Sequence, residues 1–543
     1  MESTKSTKTE TAAQRNSQDP VTGDRLSSLP DDILSHILSY LPTKHAVGTA
    51  VLSRRWKDPW TRVSNLDFDN RLVHKSRLAG IHRRDSEFCR FVDRVLAQHK
   101  SLNSLRRFRF HLSVSYCNFE PSRGFWSTME PESGSQLEEI DVKLESDDRF
   151  GAFRKLLPPP VSLYTLGSLR VLKLAGVAIM MSTTHDSVFL PSLETLQLLL
   201  VRTMDCESLH MLISGCPVLE TVHIENCYFL DETEKKTLIA VLPCLKNLKI
   251  INYYESHCNP LSPIAVEAPS LEHLHLENST MLPFMGGSPL SCLHSAWVDI
   301  GDRQSLLDDH RSMIRLLPQI SDNAKEIYLS RKTIHLMSFL YDAHQLPVTF
   351  PKLTHLTAGS VHDFQQLPFV FPQLTHLTVE TRSVYVLHSW LNSASRLQSL
   401  VAVVDQVFHM DQEIEINDEI DLEALECGEA EFPAGTPECL LSSLEEIEIR
   451  GFSANEQEMN IIAYLLKAGA ILKKMNVHMH DCVEIEGGYE DLESLLLELP
   501  RASSACEVRL LHSAISDSVR SNFDSHNQDN STFTFWQQGQ CEN

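Results

Sequence analysis

The sequence lacks several features that would place it in large classes of proteins. No stretch approaches the roughly 18 consecutive apolar residues of a membrane-spanning helix. The first twenty residues have no apolar run of the kind found in a secretion signal. None of the 13 cysteines forms a Cys-x-x-Cys pair, and without an export signal they are expected to be reduced thiols. These absences predict a soluble protein of the cytoplasm, the nucleus or both, with no membrane partner.

Basic residues are also scarce. The 543 residues include 48 Lys and Arg against 72 Asp and Glu, which gives a formal net charge of −24. A protein that binds a nucleic-acid duplex must neutralise phosphates with Lys and Arg, so nucleic acid is not an expected partner. The local exception is the arginine-rich segment from Arg71 to Arg109. There Phe88, Phe91 and Val95 recur at helical spacing, which favours a helix with one buried side over a basic binding surface.

Motifs that carry catalysis are missing as well. We find no Gly-x-x-x-x-Gly-Lys-Ser/Thr loop for phosphate, no His-Glu-x-x-His for zinc and no Gly-x-Ser-x-Gly nucleophile turn. The neighbouring His273 and His275 have no Cys or carboxylate at a spacing typical of a metal site, so we interpret them as surface histidines. The sequence predicts neither an enzyme nor a bound cofactor or metal.

What the sequence does contain is a repeat. The pattern Pro-x-Leu-x-x-Leu-x-Leu starts at Pro191, Pro217, Pro243 and Pro269, that is, every 26 residues. The alternation at its end is typical of a strand with one buried side. The residues between strands include helical spacings such as those in 207–213. Because one unit cannot bury its own leucines, the units must stack. The pattern predicts an α/β solenoid of leucine-rich repeats with parallel strands on its concave side.

Looser copies of the pattern lie on both sides of these four. The preceding copies are Leu105-Phe108-Phe110, Leu137-Ile140-Val142 and Leu169-Leu172-Leu174. The following copies are Leu353-Leu356, Leu374-Leu377-Val379, Leu397-Leu400, Leu444-Ile447-Ile449 and Leu472-Met475-Val477. Two irregular units around Leu293 and Ile327 are expected to fill the gap between them.

The register of the strands predicts a binding surface, since solenoids present extended concave faces to protein partners. The outward residues of the four best strands are Thr195, Gln197, Thr221, His223, Asn247, Lys249, His273 and His275. Flanking units add Arg107, Arg109, Glu139, Asp141, His355 and His376. These positions are our candidates for binding a protein substrate. The alternative is that most of them are simply solvated.

Ahead of the repeats, residues 24–60 predict three short helices. The first begins at Pro30 and stops at Pro42. Thr43 is expected to cap the second helix, and Ser53 the third, which carries Trp56. Three such helices make a small core, so this segment should bury part of its apolar surface against something else.

Two parts of the chain resemble known domains. The residues DRLSSLPDDILSHILSYLPTKHAVGTAVLSRRWK, which begin at Asp24, resemble an F-box in the form typical of plant proteins. The residues from Cys439 to Phe452, the helix at 456–469 and the stretch 499–507 resemble an FBD domain. An F-box, leucine-rich repeats and an FBD domain in this order are typical of a plant protein family. The resemblance covers roughly residues 24–512.

The resemblance implies a function. The F-box of that family docks on the Skp-family adaptor of an SCF-type (Skp–cullin–F-box) ubiquitin ligase, and the repeats hold the protein to be ubiquitinated. Catalysis belongs to the cullin–RING part of the complex. The implied adaptor-binding residues are Leu29, Pro30, Ile33, Leu34, Ile37, Leu38, Leu41, Val51, Leu52 and Trp56. The alternatives are that some of these side chains face the domain's own core, and that the chain is an interaction or scaffold protein outside any ligase.

The predicted domain organisation follows from these patterns. The acidic stretch 411–431 holds ten carboxylates and no Lys or Arg, as a solvated linker does. The predicted parts are a disordered N-terminus 1–23, the F-box 24–70, a helical connector 71–104, the repeats 105–410, the acidic linker 411–438, the FBD domain 439–512, which closes the solenoid, and a disordered tail 513–543.

Overall fold

The computed structural model describes residues 26, 28–72, 81–99, 104–114, 135–146, 159–179, 187–203, 206–229, 238–251, 264–277, 290–299, 316–344, 348–359, 369–404, 432–480 and 489–511. The segments predicted to be disordered, 1–23 and 513–543, and the acidic stretch 411–431 lie outside these residues. The chain divides into two compact units, residues 1–152 and residues 153–543.

The first unit contains the predicted F-box and the first strands. Its described helices are α1 (Asp31–Leu38), α2 (Thr43–Gly48) and α3 (Ile81–Gln98), with 3-10 turns at Thr49–Val51, Arg54–Trp56, Pro59–Arg62 and Asn70–Leu72. Its described strands are β1 (Asn65–Asp69), β2 (Arg107–Val114) and β3 (Glu139–Ser146), which pair in parallel in this order. The repeat pattern predicted β2 and β3 but not β1.

Apolar side chains and a few hydroxyl groups hold the helical part of this unit together. The buried apolar residues are Leu34, Leu38, Ala46, Trp56, Trp60 and Val63. Ser39 Oγ accepts a hydrogen bond from the backbone N–H of Ser64 at 3.1 Å. Thr43 Oγ1 accepts one from the N–H of Asp67 at 2.7 Å. These bonds fasten both helices to the chain at β1.

Two local predictions in this segment were wrong. Thr43 does not cap α2, because Pro42 occupies the cap position and the Thr43 hydroxyl is buried against β1. The third helix is a single 3-10 turn, Arg54–Trp56, although Ser53 Oγ does accept a hydrogen bond from the N–H of Arg55. Pro59 begins the next 3-10 turn and lacks the N–H that a continuous helix would need.

The second unit is built on a parallel sheet that does not close on itself. Thirteen strands in the described part of this unit follow one another through the sheet in chain order. They are β4 (Val171–Ala175), β6 (Thr195–Leu199), β8 (Thr221–Glu225), β11 (Asn247–Ile251), β13 (His273–Glu277), β14 (Ser295–Asp299), β15 (Glu326–Leu329), β17 (His355–Ala358), β19 (His376–Glu380), β20 (Ser399–Val403), β21 (Glu446–Phe452), β22 (Lys474–Met479) and β23 (Glu507–Leu511). Each predicted copy from Leu169 onward contributes one strand, as a leucine-rich repeat solenoid requires.

Helices and short strands lie between the sheet strands. The helices are α4 (Cys206–Ser214), α5 (Arg331–His344), α6 (Val384–Asn392), α7 (Glu438–Ser442), α8 (Glu456–Ala468) and α9 (Tyr489–Glu498), with a 3-10 turn at Val161–Thr165. Residues 316–323 are also helical. Small parallel sheets are made by β5 (Ala178–Ile179), β7 (Arg202–Thr203) and β9 (Tyr228–Phe229), by β10 (Leu238–Val241) and β12 (Ile264–Glu267), and by β16 (Val348–Thr349) and β18 (Phe369–Val370).

The structure explains the proline of the repeat. In each of the four best copies, the residue just before the proline accepts a hydrogen bond at its carbonyl oxygen. The donor is the N–H of the leucine two residues after the proline, as from Leu193 to Leu190 and from Leu245 to Leu242, both at 3.2 Å. Proline therefore occupies the second position of a four-residue turn, where its fixed φ suits the backbone. The leucines on either side of these turns are buried.

Candidate binding surfaces

The first unit leaves a group of large apolar side chains exposed. Ile33, Ile37 and Leu41 recur every four residues and so share one side of α1 and the turn after it. Val51 ends the 3-10 turn after α2, and Leu52 follows it directly. The exposed fractions of these five residues range from 38% to 87%. We call them the apolar face. A large exposed apolar surface on a folded protein marks an interaction site.

The ten predicted adaptor-binding residues divide into two groups. The five of the apolar face are exposed, as is Pro30, and Leu29 is half-buried. Leu34, Leu38 and Trp56 are buried in the unit's own core, with at most 8% of their surface exposed. These three residues therefore belong to the core of the unit and not to its exposed surface. Leu26 and Tyr40, which were not among the predicted residues, are also exposed, at 56% and 76%.

A polar contact positions the start of α1 beside the 3-10 turn at Arg54–Trp56. Arg55 Nη2 donates to the carbonyl oxygen of Leu29 at 2.7 Å. Arg55 Nη1 also lies 2.6 Å from Asp31 Oδ1, an ion pair that lacks the alignment of a hydrogen bond. Both side chains are more than a third exposed, so the ion pair contributes little to stability. Together with the hydrogen bond to Leu29, the ion pair holds Leu29 and Pro30 next to Arg55.

The second candidate surface is the side of the second unit's sheet opposite the leucines, which we call the open sheet face. Leu196 and Leu198 are fully buried, while Thr195 and Gln197 are partly exposed, so the predicted alternation is confirmed. The eight predicted positions lie side by side in two rows. The first row is Thr195, Thr221, Asn247 and His273, and the middle row is Gln197, His223, Lys249 and His275.

Hydrogen bonds run along these rows from strand to strand. Asn247 Nδ2 donates to Thr221 Oγ1 at 3.3 Å, and Gln197 Nε2 donates to His223 Nδ1 at 3.3 Å. Burial lowers the pKa of Lys249, opposed by the charges of Glu225 and Glu277. The open sheet face is therefore an ordered, partly desolvated surface.

His223 and His275 have carboxylate partners that we did not predict. His275 Nε2 lies 3.0 Å from Glu277 Oε2, and His223 Nε2 lies 3.3 Å from Glu225 Oε2. The acids belong to a third row, at the ends of the strands. Burial lowers the pKa of His275, and the hydrogen bond to Glu277 opposes this. Among the described residues, no three His, Cys, Asp or Glu side chains form a group that could hold a metal ion.

Two aromatic residues of the irregular units lie on the open sheet face and were not predicted from the sequence. Trp297 and Tyr328 continue the middle row on β14 and β15, where their rings stack with centroids 3.6 Å apart. The alternation of Ala296 and Val298 as buried residues would have placed Trp297 on the open sheet face.

Two arginines on the strands of the first unit, Arg107 and Arg109, are paired with carboxylates. Arg107 Nε lies 3.1 Å from Glu139, and Arg109 lies 3.3 Å from Asp67 and 3.7 Å from Asp141. Strand pairing places these side chains opposite one another. Their charges are therefore balanced within the sheet.

Three family models match the chain, in the predicted order. A model described as F-box domain matches residues 26–66. A model described as "FBD-associated F-box protein At5g56370, LRR repeats" matches residues 137–293, and a model described as FBD matches residues 431–477. The chain thus has an F-box domain, leucine-rich repeats and an FBD domain.

The relatives come from Arabidopsis thaliana and match over most of their length. A probable FBD-associated F-box protein is 27% identical over 89% of this chain and 99% of the relative. F-box/LRR-repeat protein 13 is 28% identical over 90% of this chain and 96% of the relative. An F-box/FBD/LRR-repeat protein is 27% identical over 83% and 91%. The resemblance to plant F-box/FBD/leucine-rich-repeat proteins is confirmed.

Membrane insertion can be addressed for the described part of the chain. None of its helices combines the length and the apolar character that a membrane crossing requires.

Proposed function

We propose that this protein is the substrate-recognition subunit of an SCF-type ubiquitin ligase. In this proposal the apolar face docks on the Skp-family adaptor, and through it on the cullin–RING subunits. The open sheet face binds the protein to be ubiquitinated. The chain itself supplies binding and no catalysis.

The exposed apolar face within the matched F-box carries the proposal. Ile33 and Ile37 are exposed on α1, whose opposite side is buried, and Leu52 is exposed directly after the 3-10 turn that follows α2. Burying a fully exposed side chain of this kind contributes about 1.5–3 kcal/mol, and covering the part that is still exposed would contribute a share of that for each residue. A helical segment this small has little core of its own, so a partner that covers its apolar side chains would add to its stability. The apolar chemistry of this face fits the core of a protein–protein interface.

Cys506 supports a non-catalytic role. A ubiquitin-accepting cysteine needs an accessible thiolate. The Cys506 side chain is buried, and burial raises the pKa of its thiol. Cys506 is therefore not a candidate for accepting ubiquitin.

The test is binding of the full chain to a purified Skp-family adaptor, measured by calorimetry. Ile37→Asp and Leu52→Asp should each weaken binding about tenfold or more, because each places a charge in the apolar contact. The control is Val241→Asp, an apolar residue of the second unit whose exposed fraction of 59% lies between those of Ile37 and Leu52. It should leave binding unchanged.

Two results would contradict the proposal at different points. If the unaltered chain does not bind the adaptor, the ligase-subunit function is wrong. If it binds and Ile37→Asp and Leu52→Asp bind equally well, the apolar face is not the docking surface.

A scaffold protein outside any ligase is the second candidate, since the repeats alone would serve either role. Recruitment of a cullin by the chain–adaptor complex distinguishes the two. Co-purification of cullin with the complex supports the ligase subunit. Adaptor binding without cullin supports the scaffold.

A further inference from the structure

The apolar face comes from two separate stretches of the first unit, and one arginine side chain spans them. One part lies on α1 and the turn after it, and the other consists of Val51 and Leu52. Arg55 follows Leu52 by three residues, and its side chain reaches the start of α1. There Nη2 donates to the carbonyl oxygen of Leu29 at 2.7 Å, and Nη1 lies 2.6 Å from Asp31 Oδ1. A planar guanidinium with several donors can serve both contacts at once.

The contacts of Arg55 act on the residues before α1 and not on the body of the helix. The inner side of α1 is buried in the core of the unit. Ser35 Oγ on α1 also donates to the carbonyl oxygen of Pro59 at 2.8 Å. These two fastenings do not involve Arg55. What Arg55 holds is the Leu29–Pro30 segment, whose backbone carbonyl it binds.

The Leu29–Pro30 segment continues the apolar face. Pro30 occupies the cap position of α1, and its carbonyl oxygen accepts a hydrogen bond from the N–H of Ile33 at 3.1 Å. It therefore lies one turn away from the first residue of the face. Pro30 is exposed and Leu29 is half-buried. The segment adds apolar surface on the side of α1 where Arg55 reaches across.

We propose that Arg55 is a positioning residue for adaptor docking. By holding Leu29 and Pro30 beside the 3-10 turn Arg54–Trp56, it joins the two parts of the apolar face into one docking surface that is ordered before the adaptor arrives. A preorganised surface loses less conformational entropy on binding. This inference rests on the proposed function, in which the apolar face docks on the Skp-family adaptor.

The first experiment measures amide hydrogen exchange of the full chain without adaptor. The N–H of Leu29 donates to the carbonyl oxygen of Leu26 at 3.1 Å. In Arg55→Ala this N–H should exchange about threefold faster or more, while exchange of Leu38 within α1 stays the same. The midpoint of thermal unfolding should not change, because the ion pair is exposed. Unchanged exchange at Leu29 would overturn the positioning role.

The second experiment measures adaptor binding by calorimetry. Arg55→Ala should weaken binding about five- to thirtyfold, which is the cost of ordering about one backbone residue at binding. Arg55→Lys keeps the charge but lacks the planar fork of donors, so it should recover only part of the loss. The control is Arg54→Ala, which removes the neighbouring charge of the same turn and should leave binding unchanged. Full binding by Arg55→Lys, or equal losses from both alanine variants, would show that charge alone matters.

A double-mutant cycle separates positioning from a direct contact between Arg55 and the adaptor. In a chain that carries Leu29→Ala and Pro30→Ala, Arg55→Ala should weaken binding little further, because the side chains that it positions are gone. In a chain that carries Ile37→Ala, Arg55→Ala should have its full effect. Equal effects in the two backgrounds are the result expected of a direct contact, and they would refute the proposal.

The failure of this inference is distinguishable from that of the proposed function. If the unaltered chain binds the adaptor and Arg55→Ala binds it equally well, Arg55 has no positioning role and the ligase function stands. If the unaltered chain does not bind, the function is wrong and the docking role of Arg55 falls with it.

Discussion

Glu458 is a carboxylic acid with no exposed surface in the first turn of α8. Its carboxylate accepts hydrogen bonds from the N–H of Ser453 and from Asn455 Nδ2, both at 2.6 Å. Burial outweighs these bonds and raises the pKa of Glu458 from 4.5 to about 7. The folded protein therefore favours the protonated acid.

The first prediction is a pH dependence of stability that Glu458 causes. Because its pKa is raised on folding, the stabilising effect is fully present below about pH 4.5 and is lost as the pH rises through about 7. Unfolding free energies from denaturant titration should fall over this window for the unaltered chain. The fall should be smaller by roughly 2–4 kcal/mol for Glu458→Gln. Parallel pH profiles for the two proteins would contradict the assignment.

Thr43 joins a helix to a strand through a single hydroxyl. Thr43→Val keeps the shape and removes the acceptor for the buried N–H of Asp67. We predict a loss of about 1–3 kcal/mol in the unfolding free energy of the first unit. The control is Thr49→Val, because the Thr49 hydroxyl only supplements the local hydrogen bonding of Ala46. Equal effects of the two changes would show that the contact to β1 contributes nothing.

At the scale of elements, two glycines that look equivalent in the sequence have opposite surroundings. A Cβ on Gly48, the last residue of α2, would meet no atom within 4 Å. A Cβ on Gly215, after α4, would lie 2.7 Å from the carbonyl oxygen of Val188. The backbone of a neighbouring segment therefore requires glycine at one position and not at the other.

We predict opposite signs for the two alanine variants. Gly48→Ala should stabilise α2 by up to about 1 kcal/mol, since alanine favours the helix. Gly215→Ala should destabilise the repeat by about 1–3 kcal/mol, because Val188 must move. Hydrogen exchange of α1–α2 and of β6–β8, respectively, measures the two effects. A neutral Gly215→Ala would mean that the Val188 segment yields freely.

The repeating element itself was predictable, since the buried leucines, the turn proline and the strand spacing recur in the sequence. β1 was not, although Leu66 and Phe68 are buried as the repeat leucines are. It has no Pro-x-Leu turn before it, and a single alternation of two apolar residues is too short to predict a strand.

At the scale of the whole molecule, each strand of the solenoid contacts its neighbours, and stability is expected to be local. We predict that Met475→Ala, which empties a fully buried site on β22, speeds hydrogen exchange in β21–β23 about tenfold or more. Exchange in β6–β11 should not change. The control is Lys474→Ala, on the open sheet face of the same strand. Faster exchange throughout the second unit would instead show one cooperative unit.

The sequence by itself determined the repeat, its register and the order of F-box, leucine-rich repeats and FBD domain, because these depend on the local spacing of apolar residues and turn prolines. Only the tertiary structure decided which apolar residues of the F-box are exposed. Ile33 and Leu34 are neighbours on the same helix, and packing buries Leu34 while Ile33 stays exposed. It alone brought the rings of Trp297 and Tyr328 into contact. These two residues lie on neighbouring strands whose pairing follows from packing and not from a sequence period.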